Sequence, residues 1–188
     1  MFKKALYFTL DLVKIVVISL AIIIPVRYFL IQPFYVQGSS MEPNFHTSEY
    51  LIVDEISYRF NEPKRGDVIV FKYPRNPKEY FIKRIIALPG EKIKFENGDI
   101  YIFNDTYEHG IVLDEDYLPS SLKTSPLQGS RIVELGENQY YVLGDNRNSS
   151  KDSRMFGPLD KSLIEGRVLF RGWPIDKAQF FETPQYQF

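Results

Sequence analysis

Three short segments carry side chains able to do hydrolytic chemistry. The first is Gly38-Ser39-Ser40-Met41-Glu42-Pro43. A serine in a Gly/Pro-rich turn can expose its hydroxyl beside backbone N–H groups, although the same residues also read as an ordinary turn with capping hydroxyls. The second is Lys83, in Tyr80-Phe81-Ile82-Lys83-Arg84-Ile85-Ile86. In a strand, Phe81, Lys83 and Ile85 share one face, while Ile82, Arg84 and Ile86 share the other. Each face then holds a cation amid apolar neighbours. A desolvated ammonium loses its proton readily, which makes it a candidate base. A half-exposed strand lysine is the plainer alternative. The third is Gly144-Asp-Asn-Arg-Asn-Ser-Ser-Lys-Asp-Ser-Arg154, dense in hydrogen-bonding groups and readable simply as a solvated loop with Asp/Arg pairs.

A serine nucleophile needs a base, most often histidine. The chain has two histidines, His46 and His109, and no HExxH, so a multi-histidine metal site is not available. Nothing supports a Ser-His-Asp arrangement, and a serine–lysine dyad is the simpler scheme. With no cysteine, disulfides, thiolate catalysis and Cys-ligated zinc are excluded. No metal or other cofactor is expected. A formal net charge of -1 gives no reason to expect a nucleic-acid partner.

These segments need positioning elements. The first forty residues are strongly apolar, and Ile15 to Val26 carries no charge. We expect residues 1–11 to be a cytoplasmic N-terminus, 12–34 a transmembrane anchor and 35–188 an extracytoplasmic domain. Lys14 and Arg27 can snorkel outward, Tyr28, Phe29, Phe34 and Tyr35 suit a headgroup zone, and Lys3 and Lys4 favour a cytoplasmic start. A cleavable leader and a buried core helix are the competing readings, the latter disfavoured by Pro25.

Beyond residue 40 the pattern is of strands: 50–56, 67–73, 79–88, 92–96, 99–103, 131–135, 139–143 and 164–170. Asn97-Gly98 between two alternating runs marks a hairpin. A chain of short strands with Gly/Pro turns, 44% hydrophobic and 15% aromatic, implies a mainly β, partly closed domain. The weakly patterned stretch 105–130 reads as a surface excursion.

Together these blocks resemble the bacterial type I signal peptidase family. Pro33-Phe-Tyr-Val-Gln-Gly-Ser-Ser-Met-Glu-Pro43 is similar to its nucleophile motif, with the catalytic serine directly before methionine. Arg65 to Pro74 resembles the next block, Phe81-Ile82-Lys83-Arg84 with Leu88-Pro89-Gly90 the lysine block, and Gly144 to Gly157 the last. The resemblance implies a β-rich domain held on the outer side of the bacterial inner membrane by a single-pass anchor. It implies a serine endopeptidase that removes signal peptides from exported preproteins, with the lipid bilayer as its other partner. Ser40 would be the nucleophile and Lys83 the general base, with Ser150 orienting the lysine amine. Asp145, Asp152, Arg154 and Arg84 would form structural ion pairs. Phe34, Val36, Met41, Phe81 and Ile82 would line shallow pockets for small substrate side chains.

Two departures from the family pattern matter. Gly38 stands where many Gram-negative members have a serine that donates to the oxyanion hole, so the second donor beside the Ser40 N–H is expected from main chain. Asn44-Phe45 replaces a common Thr-Leu, and the larger ring is expected to alter a substrate pocket. Two rivals remain: a self-cleaving repressor-type serine–lysine peptidase, which would carry a DNA-binding N-terminal domain, and a non-catalytic or inactive membrane-tethered β-domain that binds extended peptides.

Overall fold

The computed structural model describes residues 2–29, 31–126 and 132–186. Residues 127–130 of the expected excursion and Arg131 of an expected strand lie outside that set. So do the side chains of Lys3, Lys4, Arg27, Tyr28 and Phe29.

Helix α1 (Phe2–Phe29) precedes strand β1 (Ile31–Tyr35), which pairs antiparallel with β2 (Tyr50–Asp54). The helix therefore starts before the expected anchor and ends before its boundary, and Ile31 to Phe34 belong to a sheet instead. The change falls at Gln32-Pro33, where proline lacks the N–H that a helix interior needs. Tyr7 and Phe8, and apolar residues through to Ile23, are exposed and surround the helix axis without forming one stripe. Among the described residues no helix is long and apolar enough to cross a membrane.

The remaining strands are β3 (Val68–Tyr73), β4 (Asn76–Ala87), β5 (Lys92–Glu96), β6 (Asp99–Phe103), β7 (Ile111–Val112), β8 (Val133–Glu134), β9 (Gln139–Leu143), β10 (Leu159–Asp160), β11 (Ile164–Trp173) and β12 (Gln179–Phe180). Their pairings are antiparallel. The larger sheet runs β1-β2-β11-β3-β4-β9-β10 as an open path, with β12 on β11, and the smaller runs β7-β6-β5-β8. Two one-turn helices, α2 (Ser57–Phe60) and α3 (Ser153–Phe156), and two 3-10 turns, Lys161–Leu163 and Ile175–Lys177, complete the described fold.

Local chemistry accounts for the main features. Asn97 (φ 54°) and Gly98 (φ 87°) turn the β5–β6 hairpin in the left-handed region, as its Asn-Gly signal requires. One core, with Ile93, Phe95, Ile100 and Ile102, fastens the smaller sheet to Ile86 and Leu143 of the larger. A second, with Val36, Met41, Phe45, Leu51 and Val53, underlies the serine turn.

The excursion is less superficial than its composition suggests. β7 adds to β6, Leu113 is 5% exposed and Thr124 is 2% exposed. Buried Arg147 binds Glu115 and donates to Thr124 Oγ1. A buried guanidinium needs a carboxylate, and the weakly patterned segment supplies it.

Candidate active site

The serine turn follows β1. Its ends are zipped by Val36 N–H to Glu49 O at 2.9 Å and Ser48 N–H to Val36 O at 3.0 Å. Met41 and Phe45 anchor the turn from below, each 1% exposed. Lys83 lies on β4, whose neighbours β3 and β9 bury its second half. Lys83 Nζ lies 2.6 Å from Ser40 Oγ and donates to Ile82 O at 2.6 Å. The Phe81 ring centroid is 5.4 Å from Nζ. Lys83 is 3% exposed, whereas Ser40 is half-buried. Burial pushes the Lys83 ammonium down from 10.5 to about 8, against the upward pull of the Asp152 and Asp145 carboxylates.

Both residues open onto a groove of about 600 Å³. Phe34, Val36, Phe81 and Ile82 line it, joined by Leu51, Val70, Tyr80 and Lys151. Met41 does not line it. That residue packs beneath, against Val36 and Phe45, because an apolar side chain on the inner side of the turn fills the core. Phe45 is likewise internal, with its ring 4.6 Å from that of Phe181. The exchange from Thr-Leu to Asn-Phe therefore leaves the groove wall untouched. Neither histidine lines the groove, and among the described residues no cluster of metal-ligating side chains occurs.

The loop after β9 is built of arginine–carboxylate pairs. Arg84 meets Asp145 through two bonds, Nε to Oδ1 at 2.9 Å and Nη2 to Oδ2 at 2.7 Å, and its guanidinium lies 4.0 Å from the Tyr117 ring centroid. Asn44 adds a bond to Asp145 Oδ2 at 2.8 Å. Arg154 meets Asp152 through Nε at 2.9 Å and Nη2 at 2.8 Å, and Asp152 also accepts from Gly144 N–H at 3.2 Å. Both carboxylates are fully buried. Such forked pairs fix the loop's orientation.

Ser150 departs from expectation. Its Oγ is buried and makes no hydrogen bond among the described residues. Lys83 Nζ bonds to Ser40 Oγ and Ile82 O instead. Ser150 packs against Gly144, where a Cβ would overlap both the Ser150 hydroxyl and the Ser40 carbonyl oxygen. Gly38, at φ 92°, meets the Thr47 hydroxyl, which accepts from its N–H at 3.1 Å and donates to its carbonyl at 3.0 Å. Asn146 donates from Nδ2 to Ser39 O at 3.1 Å and from its N–H to Ser40 O at 3.1 Å. No residue type or spacing marks Thr47, Asn146, Glu115, Tyr117 or Thr124 as part of the site.

Residues 9–173 match the family model for "Signal peptidase, peptidase S26". A probable signal peptidase I-2 of Synechocystis is 35% identical over 176 residues, covering 90% of this chain and 75% of its own. The signal peptidase I of Leptolyngbya laminosa is 35% identical over 185 residues, covering 93% of this chain and 85% of its own. Signal peptidase IB of Staphylococcus aureus is 30% identical over 184 residues, covering 90% of this chain and 92% of its own.

Proposed function

This chain belongs to the signal peptidase family, peptidase S26, and on that premise we propose that it cleaves signal peptides from exported preproteins with Ser40 as nucleophile and Lys83 as general base. It is a type I signal peptidase, a serine endopeptidase, and exported preproteins are its substrate class. The non-catalytic reading is set aside accordingly. The observation that carries the dyad is the 2.6 Å approach of a 3%-exposed amine to the Ser40 hydroxyl.

The steps follow from that contact. With a pKa of about 8, roughly a tenth of Lys83 is neutral at pH 7. The neutral amine accepts the hydroxyl proton as Ser40 Oγ attacks the scissile carbonyl carbon. The carbonyl oxygen becomes an oxyanion, which needs preorganised donors. Lys83 then returns the proton to the leaving amine, the peptide bond breaks and an ester to Ser40 remains. Water, deprotonated by the same amine, hydrolyses that ester and restores the serine. Phe34, Val36, Phe81 and Ile82 form the apolar wall that small side chains of the substrate would meet. The Arg84–Asp145 and Arg154–Asp152 pairs hold the loop that flanks the dyad. Ser40→Ala and Lys83→Ala are each expected to abolish preprotein cleavage while far-UV circular dichroism stays unchanged. Full activity in Lys83→Ala would refute the dyad.

The same reading places the chain at the bacterial inner membrane, anchored within 12–34, with the N-terminus cytoplasmic and the sheets outside. Support comes from the uncharged run Ile15 to Val26 and the exposed apolar side chains around α1. An anchored enzyme and a substrate held by its own apolar segment share one surface, which raises their effective concentration. Retention in the membrane pellet after alkaline carbonate extraction is the expected result. Release of the whole chain would overturn it.

A further inference from the structure

The proposed mechanism needs oxyanion donors, and Gly38 has no side chain to offer. The turn's carbonyls show where donors remain. Gly38 O is held by the Thr47 hydroxyl at 3.0 Å. Ser39 O is held by Asn146 Nδ2 at 3.1 Å and by Glu42 N–H at 3.1 Å. Ser40 O is held by Asn146 N–H at 3.1 Å, and Met41 O by Asn44 N–H at 3.0 Å and Phe45 N–H at 2.9 Å. The carbonyls of Gly38, Ser39, Ser40 and Met41 are therefore tied down. The N–H groups of Ser39 and Ser40 have no hydrogen-bond partner among the described residues.

Peptide planarity turns this into a statement of direction. In a trans peptide the N–H points opposite to the preceding C=O. The peptides at these two residues are trans. Thr47, by holding Gly38 O, directs the Ser39 N–H away from itself. Asn146, by holding Ser39 O, does the same for the Ser40 N–H. Neither Thr47 nor Asn146 lines the groove, whereas Gly38, Ser39 and Ser40 do. The two free donors are thus aimed away from their anchors, and successive N–H groups of this kind form an anion-binding concavity.

Gly38 itself supplies the bend. A Cβ there would meet nothing within 4 Å, so space does not demand glycine. The demand comes from φ 92°, which L side chains rarely adopt. The Thr47 hydroxyl grips both polar groups of this residue and holds it in that conformation. Gly38 N–H is consumed by that grip and is not an oxyanion donor.

We propose that Thr47 and Asn146 are positioning residues for catalysis, which aim consecutive main-chain N–H groups of Ser39 and Ser40 at the developing oxyanion and so replace the donor that Gly38 lacks. The inference rests on the serine–lysine reading above, because only attack by Ser40 creates the oxyanion at this turn.

The test uses the full chain in detergent micelles with a preprotein substrate. Thr47→Val keeps the shape of the side chain and removes both hydroxyl bonds. Misaimed donors lower transition-state binding alone, so kcat is expected to fall about 10- to 100-fold with KM within about twofold. The Lys83 pH limb should stay in place. Thr47→Ser restores the hydroxyl and should recover kcat to within about threefold of wild type. A substrate-like peptide aldehyde, which adds to Ser40 Oγ and places its oxygen in the same hole, should lose affinity in parallel with kcat. The matched uncleaved peptide should not. Asn146→Ala should follow the same pattern. Thr47 is exposed, so melting temperatures should change little; if Thr47→Val melts early, Thr47→Ala gives the same comparison. Wild-type kcat in both Thr47→Val and Thr47→Ala, or equal weakening of aldehyde and peptide, would overturn the proposal. Ser40→Ala separates the two levels: if it still cleaves, the dyad reading fails. If it is inactive while Thr47→Val keeps full kcat, only the positioning role fails.

Discussion

Burying Lys83 for catalysis carries a stability cost whose pH dependence can be worked out. Its pKa falls from 10.5 to about 8, equivalent to about 3 kcal/mol disfavouring the ammonium in the folded state. Below about pH 8 both folded and unfolded chains hold the proton, and the folded state bears this cost in full. Between about 8 and 10.5 the unfolded chain binds more protons, so stability rises with pH. Above that range the cost is gone. Lys83→Met removes the titration and also the bonds to Ser40 Oγ and Ile82 O, each worth about 1 kcal/mol. Those lost bonds shift the comparison by a constant. The pH-dependent part survives: wild type should gain roughly 2–3 kcal/mol over Lys83→Met between pH 7 and 10. For a chain of this size that is about 5–10 °C in Tm. Thermal melts followed by far-UV circular dichroism in detergent, run on both proteins at each pH, give the difference directly. A difference that stays constant within about 0.5 kcal/mol from pH 7 to 10 would mean that burial does not depress Lys83 and that it titrates at its ordinary value.

Two further perturbations act on the surroundings of the dyad. Asp152 pulls the Lys83 pKa upward, so Asp152→Asn should move the base limb of kcat/KM to lower pH; an upward shift would contradict the electrostatics. The same change leaves buried Arg154 without its carboxylate and should cost about 3–5 kcal/mol in urea unfolding. Ser150 Oγ is buried without a hydrogen-bond partner among the described residues. Ser150→Ala should therefore raise stability by about 1 kcal/mol, and a loss of similar size would show that the hydroxyl is satisfied in solution.

Much of the larger architecture was legible because strand periodicity and turn chemistry are local. The β5–β6 hairpin falls where Asn97-Gly98 places it, and β9 matches its apolar run residue for residue. What the sequence concealed depended on partners far along the chain. β1 lies within the stretch that reads as the anchor, and its pairing with β2 sets it apart. Glu115 and Thr124 read as loop residues until Arg147 folds against them. The ordered family blocks are what single out Ser40 and Lys83, which lie 2.6 Å apart; periodicity alone leaves both as ordinary turn and strand residues. Met41 and Phe45 show the limit of that transfer. Their place in the motif says nothing about which side of the turn they face, and burial settles it as the core. Thr47 and Asn146 act through carbonyl geometry, which no residue type announces.

In the proposed mechanism a neutral Lys83 activates Ser40. The pH dependence of kcat/KM for preprotein cleavage by the wild-type enzyme tests it most directly. Activity should rise with pH through one ionisation near 8 and then level off, since only the unprotonated amine accepts the serine proton. A profile that is flat between pH 7 and 9, or one that still rises past pH 10, would contradict it.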